Sequence, residues 1–177
     1  MEKDEWQKFC EKISELGKYL EDEGMPLAYH HHMGTVIETQ KDTERLIENT
    51  HESVKLTLDT GHMLFAKGDY KSILQNYYER ILHVHCKDIR KQVLEKSLKE
   101  DLSFRGAFLE GAFTVPGDGC IDYQPLFNVL KNNNYSGWLV VEAEQDPAKA
   151  NPLEYEKIGY KYLTDTLKKS EIEIYKN

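Results

Sequence analysis

No run of apolar residues in the 177-residue chain approaches the roughly 20 that a membrane-spanning helix needs. The N-terminus, Met1-Glu2-Lys3-Asp4-Glu5-Trp6, lacks the apolar core of a secretion signal. The sequence therefore reads as that of a cytoplasmic protein with no membrane partner. Cysteine is scarce. Cys10, Cys86 and Cys120 form an odd set without Cys-x-x-Cys spacing, which argues against a disulfide framework and a zinc knuckle. Positive charge is also short: 23 Lys and Arg stand against 31 Asp and Glu, for a net charge of −8. Nucleic-acid binders need a basic footprint, so no nucleic-acid partner is expected. Low-complexity segments are absent, and His30-His31-His32 is internal and too short to read as a purification tag.

What remains is an ordinary globular composition, 40% hydrophobic and 31% charged. A single domain over 1–177 is expected, with its core in 24–168 and a tail in 169–177. Phe9, Ile13, Leu16 and Leu20 recur at helical spacing, so 6–23 reads as a helix ended by Gly24 and Pro26. Further helices are expected at 39–49, 70–79, 123–131 (with Asp122 as N-cap) and 152–168, and in part of 93–110. Strands are expected at 26–32, 54–59, 81–87 and 138–143. Val115-Pro116-Gly117-Asp118-Gly119 reads as a turn-rich loop.

Strands that alternate with helices imply a parallel sheet covered by helices. Four such units fit about half of a (β/α)8 barrel, whose eight units occupy about 250 residues. A small doubly wound sheet fits the same count, but its strands would read as continuous apolar runs. Here Val54, Leu56 and Leu58 oppose Lys55, Thr57 and Asp59. Likewise Leu82, Val84 and Cys86 oppose His83, His85 and Lys87, and Leu139, Val141 and Ala143 oppose Val140, Glu142 and Glu144. One face is greasy and the other turns polar toward the strand's C-terminal end, as in a barrel with its site at that mouth.

The polar faces carry His30 and His32, Asp59, His85, and Glu142 and Glu144. Imidazoles and carboxylates at the same end of successive strands form a donor set for one divalent cation. Mixed N/O ligands suit manganese, cobalt, iron or zinc better than calcium. Each residue taken alone reads equally well as a hydrogen-bonded or salt-bridged polar group.

Several runs carry a more specific pattern. They are Leu58-Asp59-Thr60-Gly61-His62, His83-Val84-His85-Cys86-Lys87-Asp88, Val115 through Asp122, and Gly137 through Pro147. The chain resembles the xylose-isomerase-like barrel superfamily in these runs. With Tyr29-His30-His31-His32-Met33-Gly34-Thr35 added, the pattern is similar to that of the 2-keto-myo-inositol dehydratase branch. The resemblance covers about residues 24–165.

The resemblance implies a partial (β/α)8 TIM barrel, about the last four β/α units, and a divalent metal ion, manganese or cobalt. Asp59, His85 and Glu142 match three metal positions of that superfamily. Its first glutamate has no counterpart here, and strand parity places His30 there, with His32 or a water as alternatives. His62 matches the superfamily's substrate-binding histidine. His32, Lys87 and Arg90 complete the expected substrate contacts.

The implied reaction is loss of water from 2-keto-myo-inositol, a cyclic polyol ketone of inositol catabolism. Glu142, Glu144, His32 and Lys87 are candidates for its base, and His62 and Lys87 for its acid. Lys87 reads equally as a salt-bridged residue, paired with Asp88 or Glu142. Sugar isomerisation or epimerisation would use the same groups. Strands one to four of the barrel are expected to be missing. A homodimer, a partner supplying the other half, or an inactive fragment are the resulting alternatives.

Overall fold

A computed structural model of the chain describes residues 1–175. They form two compact units, Met1–Val84 and a second beginning at His85, so the boundary falls within one strand.

In the first unit, α1 (Lys3–Asp22) opens with a reciprocal cap, in which Glu5 Oε2 accepts the Glu2 N–H at 2.9 Å. It buries Trp6, Cys10 and Gly17. A Cβ at position 17 would press on the side chains of Ser53 and Val54, so the glycine allows close packing there. Strand β1 (Leu27–His30) is followed by α2 (Gln40–Asn49), whose cap pairs Thr39 with Asp42. Strand β2 (Val54–Asp59) runs parallel to β1, with Tyr29 opposite Leu56 and His30 opposite Thr57.

Asp59 closes the strand and also caps the short helix α3 (Thr60–Phe65). Helix α4 (Tyr70–Asn76) and a 3-10 turn (Tyr78–Arg80) lead into β3 (Ile81–Cys86), which lies beside β2. The Arg80 guanidinium donates to the carbonyls of Ile47, His51 and Val54 and to Thr50 Oγ1 at 2.7–3.1 Å. It thereby ties the end of α2 to the start of β2, satisfying carbonyls that the helix leaves open. Leu56, Leu58, Met63, Ile73 and Leu74 are almost fully buried.

The second unit starts with the His85-Cys86 end of β3. The short strands β4 (Asp88–Ile89) and β5 (Phe113–Thr114) pair antiparallel, and α5 (Lys91–Lys99) and α6 (Phe104–Glu110) lie between them in sequence. Helix α7 (Gln124–Asn132), β6 (Trp138–Val141) beside β3, and α8 (Pro152–Lys169) complete it. Phe113, Tyr123 and Phe127 are fully buried. The buried Asp88 carboxylate accepts the N–H groups of Ile89, Ile121 and Gly117 at 2.7, 2.9 and 3.3 Å and so anchors the 115–121 loop.

The alternation of strands and helices agrees with the sequence reading, with specific differences. Strand β1 ends at His30, so His31, which is fully buried, and His32 lie in the following segment. Strand β6 ends at Val141, which leaves Glu142 and Glu144 just past it. Helix 70–79 is shorter, its last turn tightening into the 3-10 segment. Asp122 is not the N-cap of α7: Tyr123 is, and Asp122 Oδ1 accepts the Gln124 N–H at 3.0 Å. Helix α3 and the β4–β5 ladder were not expected. Residues 176 and 177 of the expected tail lie outside the described residues. No helix among the described residues is long and apolar enough to cross a membrane.

Candidate functional site

In the first unit the chain delivers its chemistry at the C-terminal ends of β1 and β2. Asp59 is fully buried and its two carboxylate oxygens have different tasks. Oδ1 accepts the His62 N–H at 2.8 Å, capping α3, while Oδ2 lies 3.4 Å from His30 Nε2. Two donors on one ion with bonds of about 2.0–2.2 Å sit about 3.0–3.6 Å apart, so the His30–Asp59 spacing fits shared coordination. The anionic oxygen toward the helix N-terminus is stabilised by the N–H groups there.

His31 is fully buried, and its Nε2 accepts the Asp59 backbone N–H at 3.2 Å. That bond occupies the Nε2 lone pair and puts the ring proton on Nδ1. Burial away from water holds the His31 pKa down to about 3, outweighing the attraction of the nearby Asp59 charge. His32 Nδ1 donates to the Met33 carbonyl at 2.7 Å, and the Met33 N–H in turn reaches His62 Nδ1 at 3.5 Å. The two imidazoles pack with ring centres 3.7 Å apart. The Met33 peptide thus orients both His32 and His62.

In the second unit the chain makes a second imidazole–carboxylate pair. His85 Nδ1 lies 2.5 Å from Glu142 Oε2. The other Glu142 oxygen, Oε1, lies 3.2 Å from Lys87 Nζ, and Glu144 Oε2 is 2.8 Å from the same ammonium. Lys87 is fully buried, whereas Glu142 and Glu144 are partly exposed. Arg90 stands apart from this group. Its guanidinium donates to Gly111 O at 2.8 Å, Thr114 Oγ1 at 3.0 Å and Asp118 Oδ2 at 2.5 Å. It also lines a cleft of about 340 Å³ with Phe108, Asp146, Lys149 and Tyr155.

Each unit therefore assembles one nitrogen and one carboxylate oxygen at the C-terminal ends of its strands. This donor chemistry fits a divalent ion of the manganese-to-zinc series. The first unit brings together His30, Asp59, His32 and His62, and the second His85, Lys87, Glu142 and Glu144. Sequence reading missed the cap made by Asp59, although Asp before Thr-Gly-His is a helix-start signal. It also missed the anchoring role of Asp88, for which the Gly-rich 117–119 run is the only cue.

The family model described as xylose isomerase-like TIM barrel matches residues 2–166. The chain belongs to that family. Among its relatives, inosose dehydratase of Clostridium beijerinckii is 50% identical over 163 residues, covering 92% of this chain and 55% of the relative. Inosose dehydratase of Lactiplantibacillus plantarum is 46% identical, with coverage of 92% and 55%. The chain thus spans about half the length of the curated relatives it matches. The crystal structure of IOLI protein with a zinc atom superposes with a TM-score of 0.69 at 21% identity, over 96% of this chain and 59% of that one. At that identity the likeness speaks to the fold, and members of the fold carry their sites at the C-terminal ends of the barrel strands. His30, Asp59, His85 and Glu142 each lie at or just past such an end.

Proposed function

We propose that this chain contributes the metal-binding half of a dehydratase acting on 2-keto-myo-inositol, with His30, Asp59, His85 and Glu142 holding one divalent cation, manganese or cobalt. The observation that carries the reading is the repeated imidazole–carboxylate pair, once in each unit. The inosose dehydratase relatives supply the substrate class. A bound cation would supply Lewis-acid stabilisation of the negative charge that develops on the ketone oxygen.

The rest falls to the chain's own side chains. The C–H bond next to the carbonyl breaks and its proton passes to a base, for which we assign Glu144. The electron pair then expels the hydroxyl from the next carbon. That hydroxyl leaves as water after receiving a proton, and the resulting enol returns to a ketone. His62 and His32, oriented through the Met33 peptide, are suited to hold substrate oxygens and to hand over that proton. Arg90 steadies the wall of its own cleft through its bonds to Gly111, Thr114 and Asp118.

A TIM-barrel mouth is built from eight loops, and these residues supply about four β/α units. We infer that turnover needs the other four, provided by a longer form of the chain, a second copy or a partner polypeptide. The cytoplasm is the proposed compartment. Isomerisation of a sugar ketone is the competing reading, because the same groups could shuttle a proton between carbons. Mass spectrometry of the product separates the two: dehydration gives loss of one water, whereas isomerisation leaves the mass unchanged. The proposal expects loss of water from 2-keto-myo-inositol with added manganese or cobalt once the complementary units are present. Isomerisation without water loss would overturn it.

A further inference from the structure

We propose that Lys87 is a positioning residue: its ammonium fixes which oxygen of Glu142 is presented beside His85 and holds Glu144 next to it. The inference rests on the metal reading above, and it goes beyond that reading by assigning Lys87 a role other than proton transfer.

Three observations within the second unit carry it. First, Lys87 Nζ lies 2.8 Å from Glu144 Oε2 and 3.2 Å from Glu142 Oε1. The oxygens of Glu142 are thereby divided, Oε1 toward Lys87 and Oε2 toward His85 at 2.5 Å. Second, Lys87 is fully buried, with its ammonium 5.6 Å from the centre of the Phe113 ring. A buried ammonium is stable only when its charge is compensated, and here two carboxylates compensate it. Third, the backbone that carries it is locked. Asp88 Oδ1 accepts the Ile89 and Ile121 N–H groups, and the Cys120 N–H donates to Ile89 O at 2.9 Å. Asp88 and Ile89 also pair with Thr114 and Phe113 across the β4–β5 ladder. A side chain so enclosed is built to hold neighbours in place, and a proton donor to substrate would have to reach the departing hydroxyl from within that cage.

The test uses the full chain and four variants: Lys87→Met, Lys87→Arg, Glu144→Gln and the double Lys87→Met/Glu144→Gln. The first readout is Co²⁺ binding, by calorimetry and by the visible absorption of the ion. Loss of a group that orients a ligand usually costs about 10–100-fold in metal affinity. Lys87→Met is expected to bind Co²⁺ at least about tenfold more weakly and to alter the spectrum, and Lys87→Arg to recover part of both. Wild-type affinity and spectrum in a folded Lys87→Met protein would overturn the proposal and leave Lys87 as a group that acts on substrate.

The second readout needs no metal. In urea unfolding, the two single variants and the double form a mutant cycle. Direct contact predicts coupling of about fivefold or more in the folding equilibrium. Glu144→Gln also removes one of the repelling carboxylates, so the double variant should fold even where Lys87→Met does not. Additive effects would overturn the proposal. If the wild-type chain takes up no Co²⁺, the metal reading fails, and the mutant cycle still decides whether Lys87 holds the carboxylates.

Discussion

The backbone N–H of Asp59 donates to the Nε2 of His31 across 3.2 Å, in a part of the first unit from which water is excluded. One bond thus does two things. It takes the Nε2 lone pair of His31 away from any cation, and it fixes the backbone from which the Asp59 side chain projects. Its neighbour His30 faces the Asp59 carboxylate instead, at 3.4 Å. Three consecutive histidines therefore have three different tasks. We expect His31→Gln to keep divalent metal binding within about threefold of wild type, and His85→Ala to weaken it by at least about a hundredfold. Calorimetry on folded protein checks both. Equal losses would mean that His31 is itself a ligand.

His31 also makes stability depend on pH. Its folded-state pKa is held near 3, whereas an unfolded histidine protonates near 6.5. Between these values the unfolded chain binds a proton that the folded chain refuses. Stability supplied by the neutral ring is therefore fully present above about pH 6.5 and is lost as pH falls toward 3, with a slope of up to about 1.4 kcal/mol per pH unit. Among the described residues, His31 Nδ1 has no hydrogen-bond acceptor, so protonating the ring would add a second buried donor with nothing to meet it. Urea unfolding at pH 7 and pH 5.5 should show this loss in the wild type and a flatter profile in His31→Gln. Parallel profiles would remove His31 as the cause.

Gly119 is expected to be intolerant of any side chain. A Cβ there would collide with the Asp88 carboxylate, which anchors Gly117 and Ile121 and so sets the β4–β5 end of the second unit. Gly119→Ala should destabilise the protein by about 2–4 kcal/mol, through displacement of Asp88 and exposure of unpaired N–H groups. Chemical denaturation measures it. A loss below about 0.5 kcal/mol would show that the loop relaxes freely around the new methyl group.

Much of this was legible in the residues, for identifiable reasons. Strand β2 was read with the right ends because Val54, Leu56 and Leu58 alternate with polar positions and Asp59 closes the run. Asp59, His85 and Glu142 stood out because carboxylates and imidazoles are uncommon at the ends of greasy strands. The pairing of Lys87 with Glu142 was among the expected alternatives, whereas its contact with Glu144, 57 residues away, was not. The β4–β5 ladder escaped because two-residue strands have no periodicity to detect. His31 alternates with His30 and His32 along the chain, and it is fully buried. Its bond to the Asp59 backbone depends on the pairing of β1 with β2, which no local pattern encodes.

The proposed function takes His30, Asp59, His85 and Glu142 as the ligands of one cation. It is tested most directly by titrating the metal-free chain with Mn²⁺ in a calorimeter, alongside Asp59→Asn and Glu142→Gln. The account predicts one Mn²⁺ per chain and loss of that same binding event in either variant, by about a hundredfold or more in affinity. Two binding events per chain, each removed by only one of the substitutions, would contradict it and make the pairs separate sites.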